Sequence, residues 1–239
     1  MARHKTVTEL LDDLRAETRQ SLNVSHNRQI RDTQLYLLQS EQERLWTDFD
    51  WPHLRVERYL KLAEGQRFYE PPDLAIDRIE KIEVKYGATW VPLVVGIGAQ
   101  QYNAWDSAED QRSWPVERWR IYEDEQVEVW PIPERNGDDT EATEGWLKFT
   151  GIRQLNPLVD DSDRCDLDAR LIVLFAAVQM LTDDGKKAAA EVKLAAANAH
   201  YARLKSRLSP APRFRLYGGS QTSGAVMPRG PKRVAYRVV

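Results

Sequence analysis

The chain has 239 residues with 34 Lys+Arg against 37 Asp+Glu, a formal net charge of −3, and a length that suits one large domain or two small ones of roughly 100–200 residues each. A 42% hydrophobic fraction with eight Trp, nine Tyr and five Phe can bury a core, while the single Cys165 excludes an intramolecular disulfide and fits a reducing compartment. The apolar run LIVLFAAVQML falls short of the roughly 18 residues a membrane span needs, and MARHKTVTELLDDL lacks a signal-peptide core, so synthesis in a cytoplasm and no membrane partner are expected.

In chain order, TVTELLDDLRAETRQSL places Val7, Leu10, Leu11 and Leu14 on one helical face, and Thr6 followed by Glu9 reads as a capping box. A second helix is expected from near Asn27, with Ile30, Leu37, Leu38, Leu45 and Phe49 as its buried stripe and Pro52 as its stop. The period then drops to two. LRVERYLKL alternates, AEGQ reads as a turn, and RFYEPP completes a hairpin with it. IEKIEVKYGATWVPLVVGI repeats the pattern around Tyr86-Gly87-Ala88, WPVERWRIYEDEQVEVWPIP supplies strand, turn and strand, and GWLKFTGIRQL adds one more. Six of the eight Trp lie between Trp90 and Trp146, the region where strand propensity favours them. GDDTEATE, polar and acid-rich, reads as an exposed loop.

After Pro157 the helical period returns. Asp160, Asp161, Asp163, Asp166 and Asp168 crowd the start of LIVLFAAVQML, where carboxylates cap free N–H groups and oppose the helix dipole. Gly185 in TDDGKK ends that helix, a neighbouring Asp offers a cap to the next, and KKAAAEVKLAAANAHYARLKSRL is a long Ala-rich helix suited to close packing. The order is helices, strands, helices, tail. An α+β fold follows: a helical bundle built from both chain ends (1–51 and 155–208), an antiparallel β-rich insertion (52–154) and an extended C-terminal arm (209–239).

Chemistry is sparse. His4, His26, His53 and His200 stand alone, without the i, i+4 spacing or Cys partner of a metal site, and read as helix-surface side chains. VVGIGAQQ begins like a dinucleotide loop, but Gln101 stands where the third glycine belongs and the flanking strands read as antiparallel hairpins; Gly96 and Gly98 mark the exit from a strand into a short QQYNAW helix. DDSDRCDLD lacks the glycine and terminal Glu of a calcium loop, and Cys165 has no local His or family signature to activate it. No catalytic residue, metal ligand or cofactor is expected.

Two stretches carry a resemblance. TVTELLDDLRAET…NRQIRDTQLYLLQSEQERLWTDFDWPHL is similar to the opening of the head-to-tail adaptor proteins of tailed bacteriophages, and DLDARLIVLFAAVQMLTDDGKKAAAEVKLAAANAHYARLKSRL resembles their helix–DG–helix ending, with EGQRFYEPPDLAIDRIEKIEV between them matching a short hairpin and following strand. The order and spacing resemble the larger adaptors of short-tailed phages, whose members lack catalytic signatures. The resemblance implies a structural protein of the virion neck, a dodecameric homo-oligomeric ring under the capsid portal. Such a ring binds the portal protein and the next tail or nozzle component, and genomic DNA passes through its channel without sequence-specific binding.

The last segment, PRFRLYGGSQTSGAVMPRGPKRVAYRVV, holds six basic residues and no acid, leaving 28 Lys+Arg against 37 Asp+Glu in the body before Ser209. Such asymmetry marks an interaction arm, against the plainer reading of a solvated terminus. RFRLY and RVAYRVV alternate basic with apolar or aromatic residues, so Arg213, Phe214, Arg215, Leu216, Tyr217, Arg229, Lys232, Arg233, Tyr236 and Arg237 are the expected portal-binding set, joined by a Gly/Pro-rich connection. The rival reading takes the same arginines as a nucleic-acid arm. A tail-tube or stopper protein would share the β-rich middle without needing the helical frame, and a hydrolase would have to work through scattered carboxylates.

Overall fold

The computed structural model describes residues 3–23, 30–105, 109–123, 126–138 and 144–208. Helix α1 (Val7–Thr18) starts as the sequence predicts: Thr6 and Glu9 form a reciprocal capping box, and Val7, Leu10, Leu11 and Leu14 are buried. Helix α2 (Arg31–Asp48) buries Leu37, Leu38 and Leu45, but Ile30 is its exposed N-cap residue rather than part of the stripe. It ends before Pro52, which instead opens a single 3-10 turn at Pro52–Leu54. The predicted start near Asn27 lies outside the described residues.

The middle of the chain forms strands β1 (Arg55–Lys61), β2 (Phe68–Tyr69), β3 (Leu74–Tyr86), β4 (Thr89–Pro92) and β5 (Val94–Val95). After them come the short helix α3 (Ala99–Ala104) and then β6 (Arg112–Ser113), β7 (Arg118–Tyr122), β8 (Gln126–Trp130), β9 (Ile132–Pro133) and β10 (Trp146–Arg153). They build one sheet in the order β1-β10-β3-β4, a second in the order β2-β8-β7-β5, and a two-stranded ladder β6-β9. The β3–β4 hairpin turns at Gly87, whose φ of 57° suits glycine, and β7–β8 pair antiparallel as expected.

One expectation fails. β1 does not form a hairpin with RFYEPP: β1 pairs with β10 and β2 pairs with β8, so the AEGQ turn carries the chain from one sheet to the other. The β-region is antiparallel as expected apart from two short pairs, β5 parallel to β7 and β6 parallel to β9. Period-two alternation names the face a residue occupies, not the strand it pairs with. The inner faces meet in one core that joins Ile82, Val84, Leu147 and Phe149 of the first sheet to Tyr69, Trp119, Val127 and Val129 of the second.

Helices α4 (Ala169–Asp183) and α5 (Lys187–Leu208) complete the α+β fold. α4 is capped by Asp168, whose side chain accepts from Leu171 N–H at 3.1 Å, and packs against α1, α2 and α5. Nine of its residues are buried, so it is the hub of the helical layer. α5 buries Ala190, Ala197 and Leu204, one residue every two turns, and these small side chains bring the helix close to α4. The N-terminal segment also pairs directly with the loop before α4: His4 N–H donates to Cys165 C=O at 3.1 Å and Cys165 N–H to Lys5 C=O at 3.0 Å.

Of the acidic cluster, only Asp168 caps α4. Asp163 accepts from Val159 and Asp160 N–H at 2.8 and 2.7 Å, shaping the preceding loop, and Asp161 pairs with Arg31. Asp166, 3% exposed at its side chain, accepts from Arg153 and from Asn156, fastening the loop to the end of β10. The helices meet the first sheet where Arg78 donates to Trp46 and Thr47 carbonyls at 2.7 Å each and lies 4.1 Å from the Trp46 ring.

Candidate functional site

The ten arm residues expected to meet the portal, Arg213 to Arg237, lie outside the described residues. The described chain ends at Leu208, which packs on the helical core and lines a surface cavity of about 260 Å³ with Phe49, Asp50, Pro52, Arg55, Glu80 and Ile152. Asp50 and Glu80 put two carboxylates in this cavity beside Leu208, and Arg55 bonds Glu80.

His4 is exposed ahead of α1, but two other histidines are not bare helix-surface residues. His53 sits in the 3-10 turn, its Nε2 2.9 Å from the Asp166 carbonyl, and burial lowers its pKa below the ordinary value. His200 on α5 meets the Asp168 carboxylate at 3.0 Å, and His26 lies outside the described residues. Cys165 is fully buried and burial pushes its thiol pKa up, which keeps it protonated at neutral pH. Among the described residues no group of three or more His, Cys, Asp or Glu is placed to hold a metal ion.

The carboxylates with resolved shifts all move down. Asp48 is held low by the Tyr201 hydroxyl, Asp110 by Arg112, and Asp163 by backbone N–H groups of Asp160 and Val159. Burial pushes Glu83 up, but hydrogen bonds from Lys148 and Lys81 outweigh it. A general acid needs the opposite shift, so these are ion-pair and capping electrostatics.

A denser constellation lies on the outer face of the second sheet. The β7–β8 register sets Arg118 opposite Trp130, Arg120 opposite Glu128 and Tyr122 opposite Gln126, while β2 sets Phe68 beside Glu128. Gly98 opens α3 with no side chain in the way, and the helix delivers Tyr102 onto the same face. Glu128 is 0% exposed, yet it accepts from Arg67 Nε at 2.7 Å, Arg120 Nε at 2.6 Å and Tyr102 hydroxyl at 2.8 Å. Rings cover the guanidinium faces: Arg67 lies 5.2 Å from Phe68, 5.3 Å from Tyr102 and 5.1 Å from Trp130, and Arg120 lies 5.5 Å from Tyr102 and 5.2 Å from Tyr122. The Glu128 bond raises the Arg120 pKa, and burial followed by the same carboxylate raises that of Tyr102. Three arginines and one carboxylate leave the face cationic.

Sequence reasoning missed this cluster. Its signal was in plain view: in RWRIY and QVEVW the alternate residues Arg118, Arg120 and Tyr122 face one way and Glu128 and Trp130 share that side once the hairpin closes. Arg67 and Tyr102 come from separate elements, and no local pattern points to them.

A family model described as SU10 adaptor protein matches residues 5–228, taking in both helical ends, all the strands and part of the basic C-terminal segment. No curated protein matches the chain.

Proposed function

The chain belongs to the SU10 adaptor protein family, a family of structural bacteriophage proteins, and on that premise we propose that its copies form a ring that joins the capsid portal to the tail and extends the DNA channel. The match over residues 5–228 carries this reading, because it spans the helices from both chain ends and the sheets between them. The finer assignment is a dodecameric neck ring of the larger, short-tailed-phage type, made in the host cytoplasm and built into the virion. In it, residues 1–51 and 155–208 act as the helical frame, 52–154 as the insertion, and 209–239 as the arm that holds the portal.

Support comes from the direct pairing of residues 4–5 with Cys165, which ties the N-terminal segment to the loop before α4. The charge division is a second support: a body with excess acid lets DNA slide past, while the basic tail suits an acidic protein surface. A single arm would bind weakly because ordering it costs conformational entropy, and a ring compensates by multivalency.

The test is a mass measurement of the purified chain alone and mixed with portal, with a 209–239 deletion alongside. A portal-bound ring is expected for the full chain and loss of co-sedimentation for the deletion. A full chain that never joins the portal sinks the adaptor ring, unimpaired capture by the deletion sinks the arm, and tight salt-sensitive DNA binding by the arm favours the nucleic-acid reading instead.

A further inference from the structure

We propose that the outer face of the second sheet, centred on Arg67 and Arg120, is a docking surface for a carboxylate-bearing segment of another virion protein; this rests on the adaptor reading above. The two outer faces of the β-sandwich provide an internal comparison. The first sheet carries Lys61, Lys81, Lys85 and Lys148 among Glu57, Glu80 and Glu83, woven into ion pairs such as Lys148–Glu83 at 2.6 Å and Arg55–Glu80 at 2.5 Å. That is the pattern of a solvated surface. The strands of the second sheet hold no lysine and a single acid, Glu128, with arginines and aromatic rings in their place. Interface cores are enriched in Arg, Tyr, Trp and Phe and depleted of Lys, Asp and Glu.

The geometry makes the arginines ready to bind. Each Nε edge is locked on a fully buried carboxylate and each guanidinium face lies against rings, so little side-chain freedom remains to be lost on docking. Around them is an apolar rim on the same side of the sheet: Tyr122 is 38% exposed and, on the edge strand β5, Val94, the partner of Arg118, 55%. A planar guanidinium fork beside such a rim suits a carboxylate flanked by apolar side chains.

Charge and ring packing separate the occupants. The Phe68 and Tyr122 rings pack against each other, tilted by 38° at 4.9 Å, and face the arginines, which leaves them poor platforms for bases. Around this locally cationic face the body as a whole carries 28 Lys+Arg against 37 Asp+Glu, a balance unfavourable to DNA. Permanent contacts between copies are more apolar than this, resembling a domain core cut in half, whereas this face is centred on an ion triad.

The test uses assembled particles with the photo-crosslinker p-benzoylphenylalanine replacing Tyr122, and a control replacing Tyr59 on the lysine-rich face. The expected result is a Tyr122-dependent crosslink to a different virion protein, in a peptide where acids outnumber bases, with no such product from Tyr59. A crosslink to a second copy of this chain, to DNA or to a peptide without excess acid overturns the proposal, as does no crosslink from particles that contain the chain. Absence of the chain from particles overturns the adaptor reading and the docking surface together. Adding Arg120→Lys to the Tyr122 probe keeps the charge but removes the fork, and is expected to cut the crosslink yield per incorporated chain about tenfold; an unchanged yield per incorporated chain overturns the proposal.

Discussion

Glu128 shows how much one buried carboxylate demands of its neighbours. With no exposure of its own it depends on Arg67, Arg120 and Tyr102, and losing one charged donor leaves part of its desolvation uncompensated. Arg120→Ala is expected to lower stability by about 1.5–3 kcal/mol in urea denaturation, while Arg203→Ala on the exposed side of α5 stays within about 0.5 kcal/mol. His53 gives a pH signature. Burial is the main cause of its depressed pKa, and the Asp166 carbonyl, which acts the other way, does not cancel it. Above the ordinary value of 6.5 the ring is neutral in both folded and unfolded chains and its contribution is complete. Below it the unfolded chain takes up the proton first, so stability is lost as pH falls from there toward the folded pKa. An NMR titration should give His53 a midpoint under that of a free histidine, and the acid-side fall in urea midpoint should shrink in His53→Gln.

Helices and strands were legible to different degrees. α1 and α4 follow from spacing and caps, and α5 from its Ala-rich run although Lys186 rather than an Asp opens it, because a helix is closed by its own local hydrogen bonds; the Thr6–Glu9 box is readable in four residues. The β3–β4 and β7–β8 hairpins were legible for the same reason, their turns being local. The pairing of Arg55 with Ile152 was not, because nothing in RVERYLK names a partner so far along the chain. The Arg67–Glu128–Arg120 cluster was hidden in the same way, half of it depending on which sheet β2 joins. Helix packing yields a prediction of its own. Ala197 is fully buried against α4 and Ala195 is exposed, so Ala197→Leu should cost about 1–3 kcal/mol in thermal or urea denaturation and Ala195→Leu almost nothing.

Across the molecule, α1 and α2 share one hydrophobic core with α4 and α5. Residues 4–7 bond to the 163–165 segment, with Val7 N–H donating to Asp163 C=O at 2.9 Å. Removing residues 1–6 should therefore lower the unfolding temperature measurably and weaken assembly on the portal, although every residue of the β region is retained; unchanged melting and assembly would contradict a shared frame. The central placement of α4 reaches further, into how a subunit is made. Translation delivers α1 and α2 early, but the helix that covers Leu10, Leu14, Leu38 and Leu45 leaves the ribosome only after residues 49–168. Until then the nascent chain exposes an apolar surface that invites shielding by a chaperone, and a half-translated copy has no finished helical core.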